Sequence, residues 1–163
     1  MVKTKKLVYI AVLLSAALVL HILESFLPPF VPLPGIKPGL ANAVTLFAVI
    51  KLDRRSAFAV LLMRIVIGSF FFGNVFAFIY SLCGGMLSFA GVACLLKPFK
   101  RNVVFLSVVS AILHNIGQVS AAVLLTKTPL VFMYLAPLTV SAVICGVFTG
   151  AVSYFVLKNF TQI

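Results

Sequence analysis

Long apolar runs, separated by short clusters of basic residues, proline or glycine, make up most of the chain. A helix of about 20 apolar residues crosses about 30 Å of hydrocarbon, and several of these runs reach that length. The pattern therefore predicts an all-α integral membrane protein: one domain over residues 1–163, folded as a bundle of six transmembrane helices. The helices are predicted at about 7–27, 39–52, 56–72, 75–96, 103–125 and 130–157.

Two places in this pattern are irregular. The second predicted helix is short, and Gly84-Gly85 interrupts the fourth, so that either could be a re-entrant or kinked element. Residues 28–38 hold five of the eight prolines, and no helix continues through them. We expect this segment to cover one end of the bundle as a lid.

The composition excludes a soluble globular protein. Apolar residues make up 63% of the chain and charged residues 9%, against about 45–50% and about 25% in soluble domains. Thirteen Lys or Arg residues face two acids, for a net charge of +11. Three cysteines without CxxC spacing are expected to be buried small apolar residues.

The basic residues are distributed as the positive-inside rule requires. With the N-terminus inside, ten of the thirteen fall on inner segments, which predicts six crossings, both termini cytoplasmic, in a bacterial cell membrane. This distribution explains the charge without nucleic acid and makes membrane lipid a partner. The ten residues are Lys3, Lys5, Lys6, Lys51, Arg54, Arg55, Lys97, Lys100, Arg101 and Lys158.

Two ionisable groups stand within the predicted spans. An Arg at the centre of a lipid-facing helix costs about 2.5–3.5 kcal/mol, so Arg64 is expected to face the bundle interior. It is either a structural ion-pair partner or an anchor for an anionic substrate group. Glu24, with His21 one turn earlier on the same face, is within reach of Arg64 as its partner.

The fifth predicted helix carries a polar stripe. Ser110, His114 and Gln118 repeat at four-residue spacing, and Asn115 lies on the adjoining flank. Such side chains either hold helices together or line a small-molecule pocket. Their depth, close to that of Arg64, favours a polar cavity in the outer half of the bundle. The predicted substrate-binding residues are Glu24, Asn42, Arg64, His114, Asn115 and Gln118.

Small residues at four-residue spacing mark two helix faces suited to close helix contact. Gly146 and Gly150 form a GxxxG in the sixth helix, and Ala11 and Ser15 form a similar face on the first. The partner helix lies either within the fold or in another subunit. We expect internal packing to be the commoner use of such faces.

The chain lacks the sequence features of catalysis. It has no Walker A sequence, no GxGxxG fingerprint, no cluster of metal ligands and no nucleophile with an oriented base. We therefore predict no catalytic residue, no metal and no cofactor, and a protein that is not an enzyme and cannot hydrolyse ATP alone. An intramembrane acid and base made of Glu24 with His21 or His114 would require these residues to meet across helices.

Several segments resemble the Gx transporter family, also called the heptaprenyl diphosphate synthase component I family. They are Glu24-Ser25, PGIKPGLAN ending at Asn42, Arg64, GGMLS from Gly84 to Ser88, and HNIGQ from His114 to Gln118. The resemblance covers about residues 23–150. That family is similar to the S-components of energy-coupling-factor (ECF) vitamin transporters, which are six-helix bundles with cytoplasmic termini.

The resemblance implies a substrate-binding subunit of an uptake transporter that acts with a transmembrane coupling protein and ATPases. S-components commonly dock through an AxxxA face on the first helix, where this chain has Ala11 and Ser15. Arg64 or Lys37 would favour an anionic substrate group, and the apolar walls would favour a ring or an isoprenoid tail, as in an amphipathic molecule. Prenyl diphosphate synthases use DDxxD motifs, whereas this chain has a single aspartate.

The alternative is a non-catalytic accessory membrane protein of isoprenoid, quinone or flavin-linked redox metabolism. In that case the polar residues hold helices together and contact no substrate.

Overall fold

The computed structural model describes residues 3–26, 41–99 and 102–159, and these residues form helices and no strand. The predicted lid and Lys37 lie outside them. The predicted all-α class is confirmed, and the helices differ from the predicted limits by a few residues at their ends. They are α1 (Lys3–Ser25), α2 (Asn42–Lys51), α3 (Arg54–Phe72), α4 (Val75–Phe99), α5 (Val103–Thr126), a 3₁₀-helix (Pro129–Tyr134) and α6 (Leu135–Asn159).

Helix lengths and exposed surface identify a multi-pass membrane protein. Five helical segments are long and apolar enough to cross a membrane, and they contain α1, α3, α4, α5 and α6. Large apolar side chains such as Phe70, Phe71 and Leu124 cover the outside, an exposure that suits hydrocarbon and not water. Helix α2 has only ten residues, or about 15 Å at 1.5 Å per residue, which is half a bilayer core.

The start of α1, the start of α3 and the end of α4 lie on the same side of the bundle. An ion pair between Lys6 and Asp53 joins the start of α1 to the start of α3. Arg54 Nη2 donates to the carbonyl of Ala93 over 3.3 Å, which brings the end of α4 to the same place. We call this side, which carries Lys5, Lys6, Lys51, Arg54 and Lys97, the basic end.

Helix α6 returns to the basic end by packing antiparallel to α5. A Cβ atom added to Gly146 would lie 2.7 Å from Val108 Cα, and one added to Gly150 would lie 2.8 Å from Val104 Cα. Later residues of α6 thus meet earlier residues of α5. The two backbones approach this closely because neither glycine has a side chain.

Helix α4 runs unbroken through Gly84-Gly85, so the predicted interruption there is wrong. A Cβ atom on Gly117 of α5 would lie 2.7 Å from Gly84 Cα and from the carbonyl oxygen of Cys83. The glycines bring α4 and α5 into backbone contact and leave the intrahelical hydrogen bonds of α4 intact. Their role is close packing between helices.

The short α2 is the central element. It packs against α1, α3, α4, α5 and α6, and the other helices follow one another around it in the order α1, α3, α4, α5, α6. Its buried residues Leu46, Ala48 and Val49 belong to an apolar core shared with residues such as Leu106 and Val92. Within the described ranges α1 and α6 do not pair, so the arc stays open between them.

Two of the three cysteines are more exposed than the sequence predicted. All three are free, Cys83 and Cys94 are exposed, and Cys145 is half-buried. The prediction of burial is wrong for the first two, since the outer surface of the bundle is a suitable place for an apolar side chain in a membrane.

Candidate functional site

Polar side chains from α1, α2, α3 and α5 converge inside the bundle. We call them the buried polar cluster, and each is between 1% and 5% exposed. Five were predicted as substrate-binding residues, and the structure adds Thr45. The members are Glu24, Asn42, Thr45, Arg64, His114 and Gln118.

Three members of the cluster, Arg64, His114 and Asn42, lie near the middle of the bundle. Arg64 follows the start of α3 by ten residues and His114 follows the start of α5 by eleven, which places both about 15–17 Å from the basic end at 1.5 Å per residue. Helix α2 begins at Asn42, about 14 Å above Lys51 on the same scale. Arg64 and His114 therefore lie at similar depths, as predicted, but near the middle of the bundle and not in its outer half.

Arg64 is the charge at the centre of the cluster. Its Nη2 donates a hydrogen bond of 2.9 Å to Oδ1 of Asn42, and Glu24 interacts with it electrostatically. A buried charge without an opposite charge or hydrogen bonds costs several kcal/mol, so both partners stabilise the guanidinium where it lies. The expectation that Arg64 faces the bundle interior is confirmed.

Residues His114 and Gln118 interact one turn apart on α5. Their Nε2 atoms lie 2.8 Å apart, and because an amide nitrogen only donates, the ring nitrogen is the acceptor of this hydrogen bond. The ring lies over α4, where a Cβ atom added to Gly84 would be 2.8 Å from Nδ1. Gly84 is thus required for His114 to occupy this position. Arg64 also interacts electrostatically with His114.

Several polar atoms of the cluster have no hydrogen-bond partner among the residues that the structure describes. An unsatisfied buried donor or acceptor costs about 1–3 kcal/mol, and such atoms in a native protein commonly bind water, an ion or a ligand. The amide of Asn42 and the guanidinium of Arg64 leave donors, and Gln118 leaves an acceptor. The atoms are Asn42 Nδ2, Thr45 Oγ1, Arg64 Nε, His114 Nδ1 and Gln118 Oε1.

The N-terminus of α2 points into the same region. No side chain caps it among the described residues, and Ala41 stands at the capping position. A helix N-terminus carries unpaired N–H groups and a partial positive charge. Together with Arg64 and the Asn42 amide, which has no acceptor among the described residues, it makes this part of the cluster rich in hydrogen-bond donors.

Asn115 has a different environment from the other predicted residues. Its Nδ2 donates to the carbonyl of Leu138 on α6 over 2.8 Å, while its Oδ1 has no partner in the described part of the chain. Ser110, next on the stripe, pairs with Ser88 of α4 at 2.7 Å. These contacts join α5 to its neighbours on either side, and for these two residues they favour the first of the two predicted roles, holding helices together.

Thr45 was not among the residues predicted from the sequence. The signal was present, because Thr45 is three residues after Asn42 and therefore shares its helix face.

The two predicted helix-contact faces differ in what they contact. Gly146 and Gly150 contact α5 within the chain, whereas Ala11 and Ser15 are exposed.

The arrangement can bind but offers little for catalysis. Glu24 is its one carboxylate, and no group of three His, Cys, Asp or Glu side chains comes together in residues 3–26, 41–99 or 102–159. Two surface grooves, one at the 3₁₀-helix and one between α1 and α6, lie outside the cluster and contain none of its members.

Comparison with protein families gives one match. The family model described as heptaprenyl diphosphate synthase component I matches residues 13–156, which is most of the chain. A search of curated proteins and a search of solved structures found no match.

Proposed function

Since the chain belongs to the heptaprenyl diphosphate synthase component I family, we propose that it is a substrate-binding membrane subunit of an uptake transporter. In this proposal the buried polar cluster binds a small anionic or amphipathic molecule. The transporter is of the ECF type, in which a transmembrane coupling protein and ATPases supply the energy. The basic end faces the cytoplasm of a bacterial cell.

One observation carries the proposal: donors of Arg64 and Asn42 that have no partner among the described residues lie beside the N-terminus of α2, which no described side chain caps, at mid-depth. Transporters that bind anionic groups near the bilayer midplane use this combination, since the N-terminal ends of short or broken helices are positive. A carboxylate or phosphate here would accept hydrogen bonds from both side chains. The apolar core around α2 would contact the rest of the molecule.

The chain itself is proposed to catalyse no reaction. A diphosphate-transferring enzyme holds Mg²⁺ through carboxylates, and the sequence contains one aspartate, Asp53, at the basic end. Glu24 is the one carboxylate of the cluster and already interacts with Arg64. Any prenyl connection of the family is therefore assigned to binding, transport or an accessory role.

The interhelical hydrogen bonds favour the alternative of a non-catalytic accessory protein. Arg64 bonds to Asn42 across α3 and α2, and Asn115 bonds to Leu138 across α5 and α6. If these contacts serve only to hold helices together, substitution of these residues should change stability and complex assembly without changing the binding of a small molecule. The experiment in the next paragraph separates the two functions.

The test is native mass spectrometry of protein purified from its own membranes, searching for a co-purified small molecule and for ATPase partners. We expect a bound molecule in the wild type that is lost from Arg64→Ala and from His114→Ala. The control is Gly150→Ala, which perturbs the contact between α5 and α6 and leaves the cluster unchanged. Retention of the molecule in both cluster variants, or its equal loss from the control, would contradict the proposal.

A further inference from the structure

The opening between α1 and α6 forms a groove of about 590 Å³ on the outside of the bundle, with α2 as its floor. Because α1 and α6 do not pair in the described chain, the groove is open sideways to the membrane. No member of the buried polar cluster lines it, so a ligand of the groove is independent of the proposed function.

The groove is cationic at one end and apolar along the rest. Lys5 of α1 and Lys51 of α2 line it at the basic end, and Tyr9 follows one turn further in. Beyond them the lining is formed by side chains such as Leu20 and Phe47. Both lysines are exposed, and Lys and Tyr at this position are typical of the membrane–water boundary.

The dimensions match a lipid that stands in one leaflet. The lining of α1 extends from Lys5 to Leu20, fifteen residues or about 22 Å at 1.5 Å per residue. One leaflet contributes about 15 Å of hydrocarbon. An acyl chain with its headgroup at Lys5 therefore lies within the groove over its whole length.

We propose that this groove binds an anionic phospholipid, with one acyl chain between α1 and α6 and the phosphate at Lys5 and Lys51. Charge complementarity fixes the orientation, because the lysines of the described lining stand at the basic end of the groove. None of the described residues that line its apolar remainder is charged, so none would exclude an acyl chain.

The side chains that form the walls favour a lipid over a helix from another protein. Helix contacts in membranes are enriched in small residues that let backbones approach. The predicted small face of α1, Ala11 and Ser15, lies outside the groove, whereas Val12 and Leu13 of α1 and Phe47 of α2 line it. Bulky, adaptable side chains of this kind pack against a flexible chain more readily than against a second helix backbone.

The experiment measures lipid binding to the full chain in detergent by native mass spectrometry. The probes are phosphatidylglycerol and phosphatidylcholine with identical acyl chains. We expect tighter binding of phosphatidylglycerol, and about fivefold weaker binding in Lys5→Gln, from the attraction of one basic residue to an anionic headgroup. The matched control is Lys97→Gln, an exposed lysine of α4 at the same end of the bundle, which should bind as the wild type does.

A second pair of variants tests the apolar part. Ala16 lines the groove and Ala11 does not, although both are exposed on α1. We expect Ala16→Phe to abolish binding of both lipids and Ala11→Phe to leave it unchanged, with circular dichroism showing the same helix content. Equal affinity for the two lipids, or unchanged binding in Ala16→Phe, would overturn the proposal. So would a co-purifying protein that Ala16→Phe displaces while lipid affinity stays constant.

The two proposals fail separately. Arg64→Ala should leave phospholipid affinity unchanged, and Lys5→Gln should leave the small molecule of the buried polar cluster bound.

Discussion

Arg64 of α3 donates a hydrogen bond of 2.9 Å to Asn42 at the first turn of α2, and this contact joins a full-length helix to the short central one at mid-depth. A buried guanidinium needs an acceptor and a negative charge, and the start of α2, which no described side chain caps, gains a fixed neighbour. Asn42 and Glu24 supply the first requirement.

Removal of the Arg64 charge should be less harmful when Glu24 is neutralised as well. Arg64→Met alone removes the positive charge that interacts with the buried Glu24 carboxylate and should cost about 3–5 kcal/mol of unfolding free energy. Adding Glu24→Gln should restore most of that loss. The measurement is a double-mutant cycle of reversible unfolding in bicelles. Additive effects of the two substitutions would show that the residues do not form a coupled pair.

The contact between α4 and α5 should be intolerant of one extra methyl group at Gly117. Gly117→Ala places a Cβ atom 2.7 Å from Gly84 Cα, and backbone cannot yield cheaply, so we expect a loss of about 1–3 kcal/mol. Gly91→Ala is the matched control on α4, because it meets only the end of the Leu113 side chain, which can rotate. Thermal unfolding in detergent should place the control near the wild type. Equal losses in both variants would contradict the assignment.

Asp53 should remain ionised at unusually low pH. A hydrogen bond from Lys6, which has the larger effect, and one from Ser56 hold the pKa of this carboxyl well below its usual range. Because the native pKa is lowered, the ion pair stabilises the fold above the unfolded value of about 3.9, and the stabilisation is lost as the pH falls below that value toward the native pKa.

The chain makes this measurement simple, since Asp53 is its single aspartate. Protein labelled with carboxyl-¹³C aspartate should give one NMR resonance. The pH titration of its chemical shift should have a midpoint well below pH 3.9. Lys6→Gln should raise that midpoint toward the ordinary value, and Lys97→Gln should not. A wild-type midpoint at the ordinary value would mean that the ion pair does not form in solution.

Hydropathy and charge predicted the helices, their order and the interior position of Arg64. These features depend on one physical quantity, the cost of placing each side chain in hydrocarbon, which can be summed along the sequence. The predicted depth of His114 followed in the same way from its distance to a helix end. Five of the six residues predicted for the site lie in the buried polar cluster.

The partners of these residues could not be predicted in this way. Asn115 donates to the backbone carbonyl of Leu138, an acceptor that every residue carries and no sequence pattern marks. The contact of Gly84 with Gly117 depends on which helices are neighbours, and that choice follows from side-chain shape and not from hydropathy. For the same reason the open side between α1 and α6 had no signal in the sequence.

The ten-residue length of α2 has a consequence for biogenesis. A segment of about 20 apolar residues can enter the bilayer unaided, but one of half that length that carries Asn42 and Thr45 has too little apolar surface to do so. Helix α2 is held in the bundle by contacts with α1, which precedes it, and with α3, α4, α5 and α6, which follow it in the chain. Because most of these contacts come from later helices, we expect the central element of the bundle to be stably inserted late.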